Sequence, residues 1–91
     1  MEEKDLYKEL LLLNSSAQMI VAIEELSELQ KELTKALRCK LDRIALLEEY
    51  VDVMIMLEQI KMLYEFSEND IKLMKKMKLD RLEERFKSKN L

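Results

Sequence analysis

Apolar residues recur at steps of three and four along nearly the whole chain, the period of amphipathic helices. Leu6, Leu10 and Leu13 form a first stripe, with Tyr7 and Leu11 beside it, so a helix is predicted from Glu2 to about Leu13. Asn14, Ser15 and Ser16 interrupt it, being residues that favour caps and turns over helix interiors. A second helix is predicted from about Ala17 to Arg38, with Ala22, Leu26, Leu29, Leu33 and Ala36 as its packing stripe. Gln18, Glu25, Glu28 and Glu32 run along one flank of that stripe, and Ile20 and Ile23 lie on the far side. Symmetry about a reversal near Arg38, Cys39 and Lys40 places the turn, with Asp42 as the cap of a third helix reaching about Phe66. That helix is apolar almost all round between Leu46 and Leu57, a pattern that predicts burial on several sides. Ser67-Glu-Asn-Asp70 has the spacing of a capping box, opening a fourth helix from about Glu68 to Lys89. On it Lys75, Lys78, Arg81 and Arg85 share a face, while Met74, Met77, Leu82 and Phe86 offer packing surface. The expected fold is all-α: an antiparallel bundle of about four helices, one domain over residues 1–91, completed by oligomerisation.

Composition sharpens this. Among 91 residues there is no Gly, no Pro and no Trp, whereas 48% are hydrophobic and 38% charged, which suits long helices and opposes turn-rich β architectures. So short a chain has little core of its own. No apolar run approaches the ~20 residues needed to cross a bilayer, so no membrane association is expected. The acidic start Met-Glu-Glu-Lys-Asp is unlike a signal peptide, and the lone Cys39 cannot close an internal disulfide. A reducing, cytoplasmic setting fits both observations.

The absence of histidine excludes a Ser-His-Asp triad, a Cys-His pair and His-containing zinc or di-iron sites. Chemistry here must run on carboxylates, amines and guanidiniums, with a hard metal ion. The net charge of −3 is also uneven: residues 1–70 carry 16 acids and 8 bases, residues 71–91 carry 3 acids and 8 bases. An acidic hairpin and a basic last helix could together hold a metal and a polyphosphate.

Two acidic pairs give that idea residues. Glu25 and Glu28 on the second helix, and Glu49 and Asp52 on the third, each stand three apart on one side of a helix. Glu28 lies about as far before the turn as Glu49 lies after it, and Glu25 and Asp52 match likewise. An antiparallel hairpin therefore brings all four to one level. Like charges at roughly 4 Å repel by about 4 kcal/mol at an effective dielectric near 20, a cost that a divalent cation reverses. Asp52 is the most telling, because Tyr-Val-Asp-Val-Met-Ile-Met-Leu surrounds it with apolar side chains that oppose an isolated carboxylate. The expected ion is Mg²⁺, with Mn²⁺ as a substitute, on oxygen ligands.

At these residues the sequence resembles the MazG-like all-α nucleoside triphosphate pyrophosphohydrolases. Their Glu-Glu-x-x-Glu, spacer, Glu-x-x-Asp signature reads here as Glu24-Glu25-Leu-Ser-Glu28, twenty residues, then Glu49-Tyr-Val-Asp52. Gln18 stands six residues before Glu24, as in many members, and Lys78-Leu-Asp-Arg81 is similar to the family's C-terminal Lys-x-x-Arg segment. The resemblance covers roughly residues 14–86. It implies that Glu25, Glu28, Glu49 and Asp52 hold Mg²⁺, that Lys78 and Arg81 hold the triphosphate, and that Gln18 lies near the nucleoside. It implies hydrolysis between the α and β phosphates to a nucleoside monophosphate and pyrophosphate, with Glu28 or Glu49 as the base that polarises water. It also implies assembly as dimers or tetramers. The chain departs from the pattern before Gln18, where Leu-Asn-Ser-Ser replaces a Trp and a Gly of many members, and at Lys76, where some have Asn. Both changes bear on nucleoside choice more than on the metal.

The alternative is a non-enzymatic helical module for assembly or regulation, with solvated acids and a basic partner surface. Binding of nucleic acid by the last helix is disfavoured by the acidic balance and by its single aromatic, Phe86.

Overall fold

The computed structural model describes residues 1–88, and among them every regular element is helical. Helix α1 runs Glu3–Leu37, α2 runs Arg43–Leu63 and α3 runs Glu68–Lys87. The first two predicted helices are thus one element of 35 residues, broken once at Asn14, whose backbone leaves the helical region at φ −165°, ψ 90°. The break is chemical. The Asn14 side chain accepts a hydrogen bond from the backbone N–H of Ala17 at 2.9 Å, so it caps the segment that follows. The stretch before it folds against the end of α2, where Lys8, Leu11 and Leu12 share a groove with Met62, Leu63 and Glu65. Tyr7, expected beside the stripe, is the residue buried there, while Leu6 and Leu13 face solvent. Burial raises the Tyr7 hydroxyl pKa, as do the nearby Glu3 and Glu58 carboxylates. The last turn predicted to reach Lys89 ends at Lys87, and Lys89 lies outside the described residues.

Both connections turn without glycine. After α1, Cys39 takes the left-handed φ of 60°, and the N–H groups of Cys39 and Lys40 donate to the carbonyls of Ala36 and Lys35 at 3.2 and 2.9 Å. After α2, Glu65 takes φ 57°, and Glu65 and Phe66 repeat the pattern onto Met62 and Lys61 at 3.3 and 3.0 Å. These are Schellman turns, in which the left-handed residue satisfies carbonyls left over at a helix end. Asp42 then caps α2 by accepting from Ala45 at 3.0 Å, and Ser67 caps α3 by accepting from Asp70 at 3.0 Å, as predicted.

The first turn folds the second half of α1 antiparallel onto α2. The packing face keeps part of the predicted stripe: Ala22 is buried and Leu29 and Ala36 half-buried, but Glu32 is buried as well, whereas Leu26 and Leu33 remain 45% and 50% exposed. The expected wrapping of α2 also fails within one chain. Val53, Met56 and Gln59 are buried, yet Leu47, Tyr50, Val51, Met54, Ile55 and Leu57 are exposed. Helix α3 packs on neither α1 nor α2, and none of its described residues is buried. The accessible surface is 7975 Å², whereas a compact monomer of this mass exposes about 5,600 Å². No helix among the described residues is long and apolar enough to cross a membrane.

Candidate metal centre

Glu49 and Asp52 stand one turn apart on the side of α2 that faces α1, and Glu25 meets them from across the hairpin. One carboxylate oxygen from each of the three lies within 4.8 Å of the others. Ala22, 2% exposed and one turn before Glu25, has only a methyl group there, which lets the two helices approach closely. Val53 and Met56 are buried beside the acids on α2. All three acids are half-buried, and the Oε2 atom of Glu49 is buried without a hydrogen-bond partner among the described residues.

The electrostatics follow from this crowding. Loss of water around Glu25, then the charge of Asp52 and hydrogen bonding to it, then Glu49, push the Glu25 pKa from 4.5 up to about 7. A cation is the natural counterweight. The donors are all carboxylate oxygens, which suits Mg²⁺ or Mn²⁺ rather than a soft metal, and one of them has an unsatisfied buried oxygen. The residues present therefore fit a hard divalent ion.

The other predicted residues are placed differently. Glu28 lies one turn beyond Glu25 but is exposed and outside the three-carboxylate group. Gln18 is half-buried, seven residues before Glu25 on the same side of α1. Lys78 and Arg81 sit on α3, away from the hairpin, so the chain by itself does not bring them to the acids.

The sequence reading missed Gln59. It is 2% exposed, its amide donates to the Met56 sulfur at 3.6 Å, and its Oε1 has no partner among the described residues. Spacing could have flagged it, because Gln59 stands seven residues after Asp52 as Gln18 stands seven before Glu25. Glu32, seven beyond Glu25, is likewise buried, with one oxygen on Lys35 at 3.2 Å and the other unpartnered. A polar row at heptad spacing thus runs along the hairpin seam with the acidic group at its middle. Comparison with family models, curated proteins and solved structures finds no match for this chain.

Proposed function

We propose that this chain is a divalent-cation-dependent nucleoside triphosphate pyrophosphohydrolase of the MazG-like type. The observation that carries the reading is the convergence of Glu25, Glu49 and Asp52 from two helices around an unpartnered buried oxygen. These three residues would hold Mg²⁺ or Mn²⁺, and the bound ion would neutralise phosphate charge and acidify water. Glu28, exposed one turn along α1, is free of that ligand set and takes the proton from the attacking water. The water oxygen bonds to the α phosphorus as the bond to the bridging oxygen breaks, giving a nucleoside monophosphate and pyrophosphate. Gln18 stands about 10 Å from Glu25 along the helix, a span that suits the nucleoside end of the substrate. Lys78 and Arg81 would bind the phosphates.

The test is a panel of nucleoside triphosphates with and without Mg²⁺, with products separated chromatographically. Monophosphate plus pyrophosphate is expected, only with the cation, and Glu49→Gln should abolish both turnover and the Mg²⁺-induced rise in melting temperature while the helix content stays. A chain that neither turns over nor melts higher in Mg²⁺ would sink this reading. That outcome favours a non-enzymatic assembly module, for which the unpacked α3 speaks.

A further inference from the structure

Helix α3 has sorted its charges by face. On one side Lys76 pairs with Asp80 at 3.1 Å and Lys87 with Glu83 at 3.2 Å, which leaves that side nearly neutral. The other side carries Ile71, Met74, Lys75, Lys78, Leu82 and Arg85 at helical spacing, with Arg81 and Phe86 at its edges. None of Lys75, Lys78, Arg81 and Arg85 makes an ion pair among the described residues. A helix meant only for solvent gains nothing from interleaving apolar side chains with unpaired cations and turning Asp80, Glu83 and Glu84 to the far side. Such a face calls for a partner that is apolar and acidic at once.

The hairpin offers that partner. Phe66, Ile71 and Met74, with Lys75 and Lys78, line a groove of about 580 Å³ that has Asp70 at its rim. On α2, Ile44, Leu47 and Val51 line a groove of about 460 Å³ with Glu48 and Asp52. Apolar residues match apolar residues and cations match acids. Within one chain the two never meet, because α3 leaves through the tight turn at Glu65, and Lys61 pairs with Glu68 across that joint. The surface in excess of a compact monomer is about 2,400 Å² per chain, against roughly 800 Å² per partner in a standard stable interface. A second copy can cover that much, and it carries the complementary groove by identity.

We propose that α3 of one chain docks into the Ile44–Asp52 groove of a second copy, reciprocally, in a closed homodimer. The docking brings Lys78 and Arg81 beside the second copy's Asp52. Their use on substrate phosphates rests on the pyrophosphohydrolase reading; the docking itself does not. Each acidic site is then completed only by the other chain.

The test begins with the wild-type protein. Sedimentation equilibrium should give at least twice 10.9 kDa. The melting temperature should climb as chain concentration rises from about 1 µM to about 100 µM. Hydrogen exchange should protect α3 amides about as well as those of α2. Met74→Asp, a site that touches neither other helix within one chain, should yield monomers that lose α3 protection and keep that of α1 and α2. A monomer whose melting ignores concentration overturns the proposal, whether its α3 is protected by folding back or exposed for another partner. An assembly that survives Met74→Asp overturns it too. Absence of turnover from an intact dimer would count against the catalytic reading alone.

Discussion

Glu25 has a carboxyl that would sooner keep its proton. Its folded pKa of about 7 lies above the ordinary 4.5 because burial and the Asp52 and Glu49 carboxylates oppose its charge. The folded state therefore holds that proton more tightly than the unfolded chain. The associated stability is fully present below about pH 4.5 and is lost as pH rises toward about 7. In chelator, unfolding free energy should fall across this interval by up to about 1.4 kcal/mol per pH unit, and Glu25→Gln should flatten the fall. Denaturant melts at the two ends check it; a stability that holds level or rises would mean Glu25 is already ionised. Stabilisation by Mg²⁺ should grow over the same interval, because cation and proton compete for one oxygen. Gln59 poses a simpler case. Its buried Oε1 is without a partner, so Gln59→Leu, similar in volume, should raise stability by about 1 kcal/mol in a urea melt. A loss of stability would show that the amide oxygen has a partner after all.

At the scale of elements, the Asn14 break decides what α1 can cover. Replacing the cap, Asn14→Ala, should cost about 1 kcal/mol and let the helix continue straight, drawing Tyr7 out of its buried position. Hydrogen exchange in residues 3–13 would register this as lost protection, and unchanged exchange there would show that packing, not the cap, bends the helix. Local chemistry of this kind was legible in the sequence. Asp42 and Ser67 cap the helices they were expected to cap, and the Arg38–Lys40 reversal falls where hairpin symmetry put it. Helix rotation was less legible. A helix apolar on more than one side does not say which side its first partner takes, so Leu26 and Leu33 were assigned inward and point out. The acidic group shows the same limit. A three-residue step turns a helix by about 300°, so Glu28 is about 60° away from Glu25 and swings out to solvent. Glu49 and Asp52 carry the same offset but straddle the line toward α1, and both stay in.

For the molecule as a whole, the hydrophobic surplus was written into the composition, but its location was not. Four apolar residues are buried among those described, Tyr7, Ala22, Val53 and Met56, while α2 and α3 keep most of theirs in solvent. The joint between those helices is short and holds no glycine. Its left-handed Glu65 and two backbone hydrogen bonds fix the direction in which α3 departs. In the language of tethered binding, α3 has a low effective concentration at its own hairpin, and a neighbouring chain meets less competition. A flexible joint would reverse that balance. Inserting a run of Gly and Ser after Glu65 should let α3 fold home onto its own α2, giving a monomer with a protected α3 in sedimentation and exchange. If the lengthened chain stays associated, the joint is not what drives the exchange. On the dimer proposal, four residues between two helices, with neither docking face altered, set how many chains a functioning unit contains.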